Sequence, residues 1–116
     1  MTDLLKPKQA EIYLANLNPG TGSEQLGTRP VLIISGNTLN ENMPICIICP
    51  LSSKIKKFST GTIIQADKQN NLRHSSEVIS FQVRTISTRR LIKKLGFISK
   101  TQVQDVLNKL NNVLNY

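Results

Sequence analysis

Aliphatic runs of strand length recur along this chain, each bounded by Gly, Pro, Asn or Asp, and only the last segment changes to a helical period. That pattern restricts the fold more than any single residue does. Short aliphatic strands must pair edge to edge, and one amphipathic helix can bury its apolar face only on the sheet they form. Residues 10–17, 29–36, 44–51 and 61–66 read as strands, 76–86 as a strand with weaker alternation, and 91–98 as a last strand. The Pro19-Gly20-Thr21-Gly22 cluster and the polar residues after it predict that the first two strands form a hairpin with a long loop. By composition 36–42 is a loop and 67–71 a turn. Near the end, Ser99 and Gln102 have capping-box spacing, and Val103, Val106, Leu107, Leu110, Val113 and Leu114 recur at helical intervals. A helix over about 100–114 is predicted to cover the sheet. The expectation is a mostly-β barrel with a C-terminal α-helix.

With 116 residues the chain has the length of a single domain, 1–116, large enough for one core. It contains no apolar run long enough to span a bilayer, and Met1-Thr2-Asp3-Leu4-Leu5-Lys6 lacks the apolar region of a secretory signal. These features predict a cytoplasmic protein without a membrane partner. Cys46 and Cys49 have C-x-x-C spacing, but they lie in the strand pattern Ile45-Cys46-Ile47-Ile48-Cys49-Pro50. Residues i and i+3 of a strand face opposite ways, so free core thiols are expected rather than a disulfide or shared metal. No further cysteine and only one histidine exist to complete a zinc shell, and no metal or other cofactor is expected.

A formal charge of +8 and a pI near 9.9 make polyanions the expected partners. Lys54, Lys56 and Lys57 form one basic segment, and Arg84, Arg89, Arg90, Lys93 and Lys94 a second. Each lysine alone reads as a solvated surface residue; the excess on so small a chain is the stronger signal. Tyr13, Phe58, Phe81, Phe97 and Tyr116 are the only aromatics, too few for a broad base-stacking platform. The composition favours a site that grips phosphates and a few bases.

One segment concentrates the chemistry. Gly22-Ser23-Glu24-Gln25-Leu26-Gly27-Thr28-Arg29-Pro30 hands a single arginine to the mouth of the strand Val31-Leu32-Ile33-Ile34. A polar, glycine-punctuated loop ending in arginine suits a cation held against a reacting phosphate, and it equally suits a hairpin connection with a surface arginine. The segment resembles the signature loop of the MazF/PemK family of bacterial toxins, small ribonucleases of toxin–antitoxin pairs. Ala10-Glu11-Ile12-Tyr13-Leu14-Ala15-Asn16-Leu17 is similar to the family's first strand, Ile47-Ile48-Cys49-Pro50-Leu51-Ser52-Ser53 to its apolar strand ending in a hydroxyl residue, and Gln82-Val83-Arg84-Thr85-Ile86 to its Gln-Ile/Val-Arg-Thr-Ile box. Resemblance spans about 10–114.

The resemblance implies an SH3-like barrel of the CcdB–MazF type, and a sequence-selective, metal-independent endoribonuclease acting on single-stranded RNA. The 2′-hydroxyl would attack phosphorus to give a 2′,3′-cyclic phosphate. It also implies a homodimer and a cognate antitoxin protein. Arg29 matches the family's catalytic arginine, expected to neutralise the transition-state charge, and Ser52 stands where many relatives have threonine. Ser23, Glu24 and Gln25 would line the substrate cleft with Ser53, Lys54, Lys56 and Lys57, while Gln82 would read a base edge. For Arg84 and Thr85 a structural or dimer role is as well supported as catalysis. Two departures stand out: Phe81 occupies the position where relatives often have an acid, and Ala10-Glu11 replaces Gly-Asp. The loss of the acid leaves either the Arg29/Ser52 version of the mechanism or a catalytically weakened RNA- or antitoxin-binding homologue. A gyrase-poisoning toxin of the CcdB kind shares the barrel; the Glu24-Gln25 to Arg29-Pro30 loop favours the ribonuclease. His74 acquires no role from the resemblance and reads as a surface-turn residue.

Overall fold

The computed structural model describes residues 6–19 and 27–115. Strands β1 (Glu11–Asn16), β2 (Thr28–Ile33), β3 (Ile45–Ser52), β4 (Thr62–Ile64), β5 (Ser76–Val78), β6 (Arg84–Ser87) and β7 (Leu91–Phe97) form one antiparallel sheet. Its order is β4-β5-β3-β2-β1-β7, with β6 also paired to β3. Helix α1 (Asn37–Asn42) connects β2 to β3, and α2 (Lys100–Asn115) follows β7.

Pro50 explains how one strand serves two partners on the same edge. It has no N–H to donate, so a ladder cannot run unbroken past it. On that edge β6 pairs with Ile45 to Ile48, and β5 takes over at Leu51 and Ser52. Between them the chain makes a 3-10 turn, Ser80–Gln82, and Ile79 N–H donates to the Pro50 carbonyl at 2.9 Å. The segment 76–86, read as one strand, is therefore two strands separated by a turn. The other edge of β3 pairs without interruption through Val31↔Pro50, Leu32↔Cys49 and Ile33↔Ile48.

Alternation along these strands divides the core. One cluster contains Ile12, Leu32, Cys49, Leu51, Ile64 and Val78 with Val103 and Val106 of α2; the other contains Tyr13, Ala15, Val31, Ile33, Cys46, Ile48 and Ile86. Neighbouring residues such as Ile12 and Tyr13 fall in different clusters, as period 2 demands. Cys46 and Cys49 likewise lie in opposite clusters as free thiols. Burial pushes the Cys46 thiol up to about 11 and that of Cys49 to about 12, so neither is poised as a nucleophile.

Helix α2 begins with the expected capping box. Gln102 N–H donates to Ser99 Oγ at 3.1 Å, and Ser99 N–H donates to Gln102 Oε1 at 2.8 Å. The polar stretch after β2 is not the predicted loop but the helix α1. Its anchor is Asn40, 2% exposed, whose Nδ2 donates to the Ser35 carbonyl while its Oδ1 accepts from Ser35 Oγ. A polar sequence conceals a helix here because the buried residue is itself polar.

Candidate functional site

The long β1–β2 connection is closed at its base. Leu17 N–H donates to the Gly27 carbonyl at 3.0 Å, and Gly27 N–H donates to Asn18 Oδ1 at 3.0 Å. Gly27 has φ +78, which a residue with Cβ resists. Two arginines of the second basic segment hold the incoming strand end. Arg84 donates to the Leu17 carbonyl at 3.2 Å, while Arg90 Nη1 donates to the carbonyls of Asn16 and Asn18. Lys94 is drawn to Glu11 at 2.6 Å. This segment is thus divided: Arg84, Arg90 and Lys94 hold the fold, and Lys93 lines a cavity. Ser23, Glu24 and Gln25 lie outside the described residues.

The register places Arg29 and Ser52 at the same end of β2 and β3. Val31 pairs with Pro50; two residues before Val31 stands Arg29, and two residues after Pro50 stands Ser52. Both stand beyond the last paired residues of that ladder, where β3 goes on to pair with β5 through Ser52↔Glu77. Arg29 also pairs with Ala15 of β1, which has no bulk beyond its Cβ. Ser52 is 9% exposed, and its Oγ accepts the Lys54 N–H at 3.2 Å, fixing the turn that leaves β3. Its own hydrogen approaches only the Lys54 carbonyl, at 3.5 Å, too long to hold it firmly.

Beyond Ser52 the chain carries Ser53, Lys54, Lys56 and Lys57, all exposed. Sequence reasoning missed what shapes this loop. Glu77 of β5 is fully buried and accepts three backbone N–H groups: Lys56 at 2.8 Å and Lys57 at 3.1 Å through Oε1, and Phe58 at 2.8 Å through Oε2. Gly61 leaves room for it, since a Cβ there would stand 2.0 Å from Glu77 Oε2. A buried carboxylate thus turns the lysine loop while the lysine side chains point to water. The only sequence signal was an acid within the stretch 76–86 that reads as a strand. Phe81, at the position where an acid was expected, packs edge-on against Phe58 of the same loop, ring centroids 5.0 Å apart at 88°. Gln82 closes the 3-10 turn beside it, half-buried.

A cavity of about 610 Å³ opens beside β2. Arg29 and Ser53 line it with Asn71, Arg73, His74 and Lys93 over a floor of leucines. Ser52, Lys54, Lys56, Lys57 and Gln82 do not line it. The site therefore has two parts: the Arg29/Ser52 pair at the strand ends with the lysine loop, and a basic cavity sharing Arg29. His74, read as a surface-turn residue, is exposed in a bend and faces this cavity. Such an arrangement can bind phosphates along a chain and place a guanidinium at one of them.

Comparison with known proteins places the fold in a family. The family model of PemK-like, MazF-like toxins of type II toxin-antitoxin systems matches residues 8–114. Endoribonuclease MazF of Staphylococcus epidermidis is 35% identical over 105 residues, 90% of this chain and 88% of that protein. The crystal structure of MazF (Form-I) from Deinococcus radiodurans superposes with a TM-score of 0.84 at 25% identity, covering 97% of this chain and 99% of that one. A chain of the MazE-MazF (Form-II) crystal structure from the same organism, 19% identical, shares the fold with a TM-score of 0.75 over 96% of this chain and 97% of its own. The expected mostly-β fold with a C-terminal helix is the one found. On its matched span and its relatives, the chain belongs to the PemK-like, MazF-like toxins of type II toxin-antitoxin systems.

Proposed function

We propose that this protein is a metal-independent, sequence-selective endoribonuclease that cuts single-stranded RNA in the cytoplasm, as a single-domain homodimer restrained by a cognate antitoxin. The observation that supports this reading is the β2–β3 register, which puts Arg29 and Ser52 at the same end of the two strands in a chain of formal charge +8. The 2′-oxygen attacks the adjacent phosphorus, the bond to the 5′-oxygen breaks, the 2′-hydroxyl loses its proton and the 5′-oxygen gains one. Arg29 faces the charge that grows on the phosphoryl oxygens, and the Ser52 hydroxyl donates to one of them. Lys54, Lys56 and Lys57 hold flanking phosphates. Ser23, Glu24, Gln25, Ser53 and Gln82 contact the RNA around the cut.

The test is cleavage of unstructured RNA in EDTA, with 2′,3′-cyclic phosphate and 5′-hydroxyl ends as products. Arg29→Ala is expected to lower turnover by on the order of a hundredfold while RNA affinity changes little, because charge that develops only in the transition state loses its partner. Ser52→Ala is expected to cost less, and Ser52→Thr to be close to neutral. A folded Arg29→Ala protein that cuts at the parent rate defeats the assignment. RNA binding without cleavage by the parent would mark a weakened homologue, as Phe81 suggests. Gyrase-dependent DNA breakage without RNA cleavage would mark the CcdB-like activity.

A further inference from the structure

The turn that carries Arg73 and His74 belongs to no motif of the sequence, yet its backbone is bound at nearly every step. Asn70 is 1% exposed; its Oδ1 accepts the N–H groups of Asp67 and Leu72, each at 3.0 Å, and its Nδ2 donates to the Gln65 carbonyl at 2.8 Å. Asp67 Oδ1 accepts from Gln69 N–H at 2.9 Å and Asn70 N–H at 2.8 Å. Asn71 sits at φ 54, a left-handed conformation that asparagine tolerates. The turn is then fastened to β7. Phe97 N–H donates to the Gln69 carbonyl at 3.1 Å, and Asn71 Nδ2 donates to the Leu95 carbonyl at 2.6 Å. A Cβ at Gly96 would stand 2.0 Å from the Gln69 oxygen, so any other residue there would push turn and strand apart.

This construction sets Arg73 and His74 on the wall of the cavity that Arg29 of β2 and Lys93 of β7 also line. Among the described residues, no carboxylate lines it. The described acids nearby are engaged elsewhere: Glu11 with Lys94, Asp105 with Lys109, Glu77 with three backbone N–H groups, and Asp67 within its own turn. Among the described residues, neither Arg73 nor Lys93 has an ion-pair partner. Like charges fixed around a concavity raise its energy when empty and favour any anion that enters. A braced backbone lowers the ordering cost of binding to that of the side chains themselves. At about 610 Å³ the cavity has the volume of a small-molecule pocket, with room for a nucleotide unit rather than a bare ion.

We propose that Arg73, His74 and Lys93 form a second phosphate subsite, which holds the phosphodiester of a nucleotide next to the one engaged by Arg29. The proposal rests on the endoribonuclease reading. The two cations bind the non-bridging oxygens, and the His74 ring supplies a further hydrogen bond.

The experiment measures binding of a 5′-fluorescein, 2′-O-methylated random dodecamer RNA by anisotropy in EDTA, with parallel cleavage of unmodified RNA. Arg73→Gln/Lys93→Gln is compared with Lys68→Gln/Lys100→Gln, which removes the same charge from exposed positions outside the cavity. Single-strand counterion release of about 0.7 per contact predicts a salt slope shallower by about 1.4 and affinity about 25-fold lower at 0.1 M salt in the cavity variant. The control variant is expected to lose less than about threefold by the same rule. Should the cavity pair not fold, Arg73→Gln alone is expected to show half the change in slope. Equal losses in both double variants, or unchanged affinity in a folded cavity variant of a protein that still cuts RNA, overturn the subsite and leave the ribonuclease standing. A parent that neither binds nor cuts RNA overturns both. Binding of inorganic phosphate by the parent and not by the cavity variant, with RNA neither displaced by it nor bound more weakly by that variant, overturns it in favour of a free-anion site. Loss of binding to an acidic polyglutamate peptide, with RNA affinity intact, overturns it in favour of a protein partner.

Discussion

Replacing Glu77 by glutamine tests whether one buried carboxylate shapes the lysine loop. The shape is preserved and the charge is not. The remaining oxygen can still accept from Lys56 and Lys57, each bond losing about 1 kcal/mol of charge assistance. The new amide nitrogen, however, meets the Phe58 N–H as donor against donor, at a site where 2.8 Å now separates donor and acceptor. An unsatisfied donor costs about 1–3 kcal/mol, and relief of the buried charge returns part of the sum. A net loss of about 2 kcal/mol is expected, lowering the unfolding midpoint by about 8 °C for a domain of this size. Thermal unfolding followed by circular dichroism measures it, and RNA affinity measures the loop. Gly61→Ala attacks the same carboxylate from the other side, since its Cβ would lie 2.7 Å from Glu77 Cδ. The double variant should therefore lose less than the sum of the single ones. Glu77→Gln with an unshifted midpoint and parent RNA affinity would refute the reasoning, and strict additivity with Gly61→Ala would refute the shared cause.

Alkaline pH should destabilise the protein through its thiols. Below pH 9 both states keep these protons; above it the unfolded chain releases protons that buried Cys46 and Cys49, pushed up to about 11 and 12, retain. Unfolding is thereby favoured by about 1.4 kcal/mol per thiol near pH 10, so urea midpoints should fall from pH 8.5 to 10 and fall less steeply in Cys49→Ala. Tyr13, raised to about 12 by burial and then by Glu11, acts in the same direction at higher pH. Ser99→Ala removes the cap of α2 and is expected to cost about 1 kcal/mol, seen as a drop of about 4 °C in the midpoint. Lys56→Gln with Lys57→Gln should weaken binding to all RNA sequences alike and flatten the salt dependence by about 1.4, with the cleavage sequence unchanged by footprinting.

Local patterns made much of this architecture legible. The strand runs, the capped helix and the opposed cysteines each follow from spacing within a few residues, and spacing survives folding. What stayed hidden is polar and buried. Asn40 anchors a helix in a stretch composed like a loop, Asn70 organises a turn, and Glu77 shapes a loop about twenty residues away in sequence. Composition assigns such residues to the surface, and only their long-range partners reverse that. The break at Ser80–Gln82 had the same cause, because it answers to Pro50 on another strand. At the site, the order of Arg29 and Ser52 in their strands was readable, whereas Arg73 and His74 reach the cavity only through contacts between their turn and β7.

The proline that divides β3 has a consequence for motion. Because β6 and β5 meet β3 as separate ladders, β4 and β5 join the strand ladders only at Leu51 and Ser52; the turn between them is held by β7, and β4 leans on α2 through Thr62 Oγ1 to Asp105 and the Gly61 carbonyl from Lys109. Cooperative opening follows such seams. Amide hydrogens of β4 and β5 should exchange through a partial opening that leaves β1, β2 and β6 protected. The strands that shape the lysine loop through Glu77 can thus open at their β3 seam while pairing with Ala15 of β1 keeps Arg29 in register.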